Sequence, residues 1–218
     1  MFQGWMWTEV FSSWKVFAKG FLGTISVSTV SLVLMFALSL FAALLRVGRN
    51  KGLRWITGVL MGFFQNTPLL VQVFFLYNVL PLIGIKLGVF SVGSISLSVY
   101  TASFGAAIFE AAINSVPKGQ SEAAYSQGFG FFAVMTRIVL PQAMKVAIPP
   151  MTGQVVNLIK NSSVLAMVAL GELMYMTDSW SAEHAIYGPT FLLSAVLYLA
   201  LCLPLARLSR NLEKKTRR

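Results

Sequence analysis

A chain of 218 residues in which 56% are hydrophobic and 11% charged departs far from soluble domains, where about 25% of residues are charged, and reads as an integral membrane protein. Its 17 lysines and arginines against 7 acidic residues give a net charge of +10, which fits anionic lipid and loop topology; nothing beyond that charge supports nucleic-acid binding. The single cysteine, Cys202, excludes an internal disulfide and cysteine-rich metal sites, and is expected to be a buried apolar filler.

The first twenty residues carry Phe2, Trp5, Trp7, Phe11, Trp14 and Phe17 among polar residues. They are too interrupted for a secretory signal and lack its small-residue cleavage pattern. The pattern predicts an interfacial helix over 1–20, lying along the outer leaflet. Apolar runs follow at about 21–45, 55–83 and 186–206, each long enough for the roughly 20 residues that a span needs. Two less uniform runs bring the expected count to five: 91–113, which contains serines and Glu110, and 142–171, interrupted by Pro149, Pro150, Asn157, Lys160 and Asn161.

Basic residues set the orientation. Arg46, Arg49, Lys51 and Arg54 lie between the first two spans, and Lys118, Arg137 and Lys145 between the third and fourth. Arg207, Arg210, Lys214, Lys215, Arg217 and Arg218 follow the fifth, so that thirteen of the 17 fall on one side. The opposite loops hold Lys15, Lys19 and Lys86 with Glu9, Glu172, Asp178 and Glu183. The positive-inside rule then puts the N-terminus outside and the C-terminus in the cytoplasm. His184, beside Glu183 in an outer loop, makes a poor metal site and reads as solvated. No Gly-x4-Gly-Lys-Ser/Thr phosphate loop occurs, so the chain cannot energise itself with ATP, and no metal site is expected.

The segment 115–141 is a polar interruption between two apolar stretches. Ser115, Val116 and Pro117 can supply a cap and first turn for a helix. Ala123 and Ala124 keep one side of it thin, and Gly128 with Gly130 permits a reversal. Pro141 restarts the chain toward the membrane, since proline tolerates a first-turn position. A short exposed helix with a small-residue face can dock in a partner's groove.

The spacing Glu122-Ala123-Ala124-x3-Gly128-x9-Ile138-x-Leu140-Pro141 resembles the EAA signature of permease subunits in binding-protein-dependent ABC importers. Further pieces resemble the polar amino-acid branch of that family, the histidine, glutamine and glutamate type. They are Asn66-Thr67-Pro68-Leu69-Leu70-Val71-Gln72, Ser115-Val116-Pro117-Lys118-Gly119-Gln120, Ile148-Pro149-Pro150, and Asn157-Leu158-Ile159-Lys160-Asn161-Ser162-Ser163. The resemblance covers nearly the whole chain. It implies an all-α integral membrane fold like that of type I ABC importers, one permease domain over 1–218 with about five transmembrane helices, and a cytoplasmic coupling loop at 115–141. It implies that Glu122, Ala123, Ala124, Gly128, Leu140 and Pro141 form the coupling element against the ATPase. The implied partners are ATP-binding cassette ATPase subunits carrying ATP and Mg, a second permease chain, an extracytoplasmic solute-binding protein and an amino-acid substrate, in a prokaryotic inner membrane. The chain itself is then no enzyme and holds no cofactor.

Asn157, Lys160 and Asn161 stand at i, i+3 and i+4 and share one helix face, and a lysine within a span costs about 2.5–3.5 kcal/mol on insertion scales. With Ser162, they suit a solute path for an amino acid's carboxylate and polar side chain; Gln72 and Glu110 complete the candidate set. Lys160 has a second reading, holding the bundle by bonding carbonyls. Glu110 can pair with Lys160 or face cytoplasmic water. Pro68, Pro149 and Pro150 are candidate bend points. Ala107 and Glu110 stand where the family usually has glutamate and arginine, which weakens a cationic solute. The alternative function is an ion-gradient-driven secondary amino-acid transporter or channel, in which Glu110 and Lys160 relay protons; a membrane adaptor with a docking helix is a third.

Overall fold

A computed structural model describes residues 3–216, all helical apart from short connections. Phe2, Arg217 and Arg218 lie outside the described residues, as does the side chain of Lys215. The chain opens with α1 (Gly4–Ser12), breaks at Ser13, and continues as α2 (Trp14–Val47). The helix expected over 1–20 is therefore two pieces, the second being the first turns of a 34-residue helix. Val10 and Phe17 on these pieces pack against Trp180 and Ile186, while Trp5, Phe11 and Trp14 remain more than half exposed.

α2 and α5 (Val89–Asn114) form the central pair. Their shared seam is built from small residues: Ser28, Ser31 and Ser39 on α2, and Ser94, Ser98, Thr101 and Gly105 on α5, all buried. Ser31 Oγ donates to the Ser94 carbonyl at 3.3 Å, Ser98 Oγ to the Ser31 carbonyl at 3.2 Å and Ser39 Oγ to the Ala102 carbonyl at 3.3 Å. Without a side chain at Gly105, Ser39 and Met151 come close to α5; a Cβ there would approach Met151 Cε to 3.2 Å. Small side chains let helix backbones approach in a membrane, where packing and hydrogen bonds rather than water exclusion drive association.

The second span is broken. α3 (Lys51–Asn66) is capped by Asn50, whose side chain accepts from the N–H groups of Gly52 and Leu53. Thr67 is extended (φ −110°, ψ 140°) ahead of Pro68, as the proline ring requires of its predecessor. α4 (Leu69–Phe74), a π-helical turn Phe75–Val79 and a 3₁₀ turn Leu80–Ile83 then leave at 105° to α3. The bend expected at Pro68 is present. The continuous span expected over 55–83 is not, so among the described residues four helices are long and apolar enough to cross a membrane and the bent pair makes a fifth crossing only as a unit.

After α6 (Lys118–Ser126) comes a helical rod running from Phe131 to Val168. It comprises α7 (Phe131–Val134), a π-helical turn Met135–Val139, α8 (Leu140–Asn161) and a 3₁₀ turn Ser162–Val168. Pro141 was expected to restart the chain. Instead the helix begins ten residues earlier at Phe131, and the π turn directly before Pro141 absorbs the missing donor and ring clash. Pro149 and Pro150 lie inside α8, which runs through them. Ser209 donates to the Pro149 carbonyl at 3.1 Å, joining this helix to α10 (Gly188–Thr216).

Glu172 was assigned to an outer loop. It is fully buried and is the N-cap of α9 (Leu173–His184). Its carboxylate accepts from Met174 N–H at 2.9 Å, Tyr175 N–H at 2.7 Å, Tyr198 O–H at 2.7 Å and, more weakly, Thr24 O–H at 3.4 Å. Burial pushes the Glu172 carboxyl above its ordinary range, against the pull of the donors from Met174, Tyr198, Tyr175 and Thr24. One side chain thus ties α2, α9 and α10 together. α9 also lies close against α2 at Gly20, where a Cβ would stand 2.9 Å from Leu173 Cα. His184, read as solvated, is half-buried and stacks on Trp180 at 4.1 Å between ring centroids.

Replacing Glu172 by leucine removes the cap of α9 and orphans buried donors on two other helices. A loss of about 3 kcal/mol is expected, read as a lower unfolding midpoint in detergent, with Glu172→Gln retaining part of the stability. An unchanged midpoint in the leucine variant would show that apolar packing alone holds α9.

Candidate functional site

α6 is nine residues long and starts directly after Pro117, which occupies the N-cap. Ser115 was expected to help cap this helix; it caps the end of α5 instead, donating to the Ala112 carbonyl at 2.7 Å. The far end of α6 closes in a two-bond reversal. Phe129 N–H donates to the Ala124 carbonyl at 3.1 Å and Gly128 N–H to the Tyr125 carbonyl at 3.0 Å. This is the Schellman arrangement, which needs a left-handed residue after the cap; Gly128 supplies it at φ +84°. Gly130, also expected at the reversal, is extended (φ −74°, ψ 163°) and caps α7.

Consecutive alanines on a helix point about 100° apart, and their surroundings differ accordingly. Ala123 is exposed with Glu122, whereas Ala124 is 5% exposed and belongs to the central core. Ala124 therefore seats the helix, while Glu122 and Ala123 face out. Gln120 is hydrogen-bonded to Gln142, which also donates to the Ile138 carbonyl at 2.8 Å, so that α6 is tied to the rod above it. Leu140 is half-buried on that rod and Pro141 is exposed. Around α6 stand exposed aromatic side chains: Tyr125, Phe129, Phe131 and Phe132, the last 80% exposed. Sequence reasoning passed over this cluster, although four aromatic residues within eight positions of a polar loop were a readable signal.

The six residues proposed for a solute path do not form one cluster. Asn157 and Lys160 are exposed and Asn161 is half-buried on one face of α8. Ser162 is buried at the turn that follows, its hydroxyl donating to the Ile159 carbonyl at 2.8 Å. Gln72 is buried at the break in the second span. Its amide donates to the carbonyls of Phe64 at 3.0 Å and Thr67 at 3.2 Å and to Thr67 Oγ1 at 2.9 Å, satisfying groups that the break at Pro68 leaves without helical partners.

Glu110 is not paired with Lys160. It bonds Arg46 at the end of α2, with the two side chains 22% and 28% exposed, in the only ion pair among the described residues. Two helices that begin the core pair at one end are thereby locked at the other. The proton relay between Glu110 and Lys160 considered for ion-gradient transport is not assembled. Among the described residues no group of three or more histidine, cysteine or acidic side chains could hold a metal. Cys202 is buried against Val156 and Ile159, as an apolar filler would be.

Known proteins match both the sequence and the fold. Residues 35–218 match the family described as binding-protein-dependent transport system inner membrane component. The probable glutamine ABC transporter permease protein GlnM of Bacillus subtilis (strain 168) is 38% identical over 94% of this chain and 95% of its own. The L-cystine transport system permease protein TcyB of the same organism is 30% identical over 94% of this chain and 88% of its own. A crystal structure of an amino acid ABC transporter with histidines superposes with a TM-score of 0.87 at 23% identity, over 99% of this chain and 100% of that one. The MetNI methionine ABC transporter in an inward-facing conformation gives 0.74 at 19% identity, over 92% and 98%. With five-sixths of its length inside the family match, relatives aligned nearly end to end and the helical fold shared, this chain belongs to the inner-membrane components of binding-protein-dependent transport systems.

Proposed function

We propose that the chain is the permease subunit of an ATP-driven importer of polar amino acids. It pairs with a second permease chain and is driven by a separate ATPase carrying ATP and Mg, with a receptor delivering solute from outside. The observation that carries this reading is α6: a short helix seated by Ala124, closed by Gly128, presenting Glu122 and Ala123 outward beside four exposed aromatic side chains. Such a surface has apolar area to bury and a charged group to orient a partner. The relatives named for glutamine and L-cystine support the amino-acid class.

Orientation follows from charge. Arg46, Arg49, Lys51 and Arg54 at one end of the helices and α6 at that same end, linked through the Arg46–Glu110 pair at the foot of α5, support a cytoplasmic α6 and an outer α1 by the positive-inside rule. The exposed Asn157 and Lys160 form the solute-facing or partner-facing strip of α8, since polar groups in a span are stable only against protein or water. Solute is then handled between this face and its counterpart on the second permease chain, while Gln72, Glu110 and Ser162 hold the scaffold.

Reconstituted with its ATPase and receptor, the wild-type chain should support solute-stimulated ATP hydrolysis. Glu122→Lys should reduce that stimulation at least roughly tenfold, the scale of losing one oriented charge at an interface, without loss of membrane insertion. Gly128→Val forces a β-branched residue to φ +84°, at a strain of about 1–2 kcal/mol, and should weaken coupling in the same assay. Stimulation unaffected by both changes would remove α6 from the coupling path.

The charge swap Arg46→Glu with Glu110→Arg should recover most of the stability lost by either single change, with a coupling of about 1 kcal/mol in a double-mutant cycle for a pair this exposed. Additive losses would mean that the two side chains act independently.

A further inference from the structure

We infer that the cleft between α2 and α3 binds the phosphate of an anionic phospholipid. A space of about 580 Å³ is lined by Arg46, Lys51, Arg54, Trp55, Gly58 and Val59. Three cations meet there, and the one carboxylate that reaches them, Glu110, bonds Arg46 alone. Lys51 and Arg54 are exposed and form no ion pair among the described residues; Arg54 reaches the Gly48 carbonyl only at 3.5 Å. The cleft is therefore cationic beyond its internal neutralisation.

Its shape is specific as well as its charge. The Arg46 guanidinium lies in a notch made by Gly58, with Nη1 2.6 Å from where a Cβ would stand. Any side chain at 58 would push the guanidinium out. The N-terminus of α3 opens at the same place, with Asn50 already occupying the N–H groups of Gly52 and Leu53, so the side chains rather than the helix end supply the recognition.

The wall of the cleft selects a lipid over a free anion. Trp55 is 69% exposed and Val59 52%, and Phe63 continues the same helix face at 58%. An indole beside cations, followed by bare apolar side chains along one helix face, is the sequence of environments met by a lipid passing from headgroup to acyl chain. A soluble phosphate uses only the first of these. The site rests on the proposed topology only for its leaflet, the cytoplasmic one; lipid binding itself does not require the importer reading.

The test uses the importer reconstituted with its partner subunits in nanodiscs of mixed phosphatidylcholine and phosphatidylglycerol, with retained lipids counted by native mass spectrometry. Wild type should retain phosphatidylglycerol selectively. Lys51→Gln with Arg54→Gln should lower that selectivity roughly 25-fold, about fivefold for each cation near an anionic surface. Gly58→Leu should also lower it, by displacing Arg46 without changing charge. The control Arg207→Gln with Arg210→Gln, which removes equal charge from the exposed end of α10, should leave it unchanged. Equal loss in the control, or selectivity retained in both cleft variants, would overturn the site. Displacement of the retained lipid by excess inorganic phosphate would overturn the lipid assignment in favour of a soluble anion. Each of these results is independent of ATP hydrolysis, so failure here is distinguishable from failure of the coupling experiment.

Discussion

The architecture depends on how closely α2 and α5 approach. In hydrocarbon there is no water to reward apolar contact, so two helices hold each other through packing and through hydrogen bonds that lipid cannot supply. Serine is suited to both tasks, being small enough to admit a neighbouring backbone and able to donate to its carbonyls. Ser31 and Ser98 do this reciprocally across the seam, and Ser39 repeats it a few turns on beside Gly105. The Arg46–Glu110 pair closes the same two helices at their other end. Other helices attach to this pair: α3 through Gln65, which donates to the Ser103 carbonyl at 2.8 Å, and α9 through Gly20 and Thr24.

Away from that seam the helices are interrupted, and each interruption carries its own compensation. Pro68 breaks the second span, and the buried Gln72 amide answers the backbone and hydroxyl oxygens left there. Pro141 removes a donor from the rod, and the preceding π turn shifts the register. The chain leaves the rod through Ala169 at φ 57°, and Glu172 gathers donors from three helices immediately after it. These irregular points flank a regular core, so the parts able to change angle are separated from the part that must not.

Much of this was legible in sequence because long apolar runs and a spaced motif are strong signals. The reversal at Gly128 and a bend at Pro68 followed from residue chemistry, although the full break of the second span did not. What was not legible depended on long-range placement. Arg46 and Glu110 lie 64 residues apart, so the sequence left Glu110 with Lys160 or cytoplasmic water as its surroundings and gave no sign of Arg46. Glu172 and Gln72 looked like a loop acid and a path residue, because composition cannot tell a polar group that serves the backbone from one that serves a ligand. Ala124 differs from Ala123 only by its turn around a nine-residue helix, too short for periodicity to assign an inward face. The start of the rod was misplaced because Pro141 was given the first turn, a preference that a π turn overrides.

The single chain is energetically incomplete in two places that share one element. At one end of the rod, Phe132 and its aromatic neighbours stand exposed beside α6; further along, Asn157 and Lys160 stand exposed on a helix of membrane composition. The aromatic side chains gain when a protein surface takes them out of water, and the polar pair is stable only against protein or water. From Phe131 to Lys160 the rod spans about 45 Å at 1.5 Å per residue, close to the full thickness of a bilayer with its headgroups. Because α6 is fastened to it through Gln120 and Gln142 and through Ala124 in the core, the displacement of α6 that the proposed coupling role requires cannot be absorbed in the loop alone. It must tilt or slide the rod that carries Lys160, against a seam held fixed by α2 and α5. On the proposed function, a coupling surface fastened to the same continuous rod that carries the exposed polar strip lets a push at one face of the membrane reorganise a path within it.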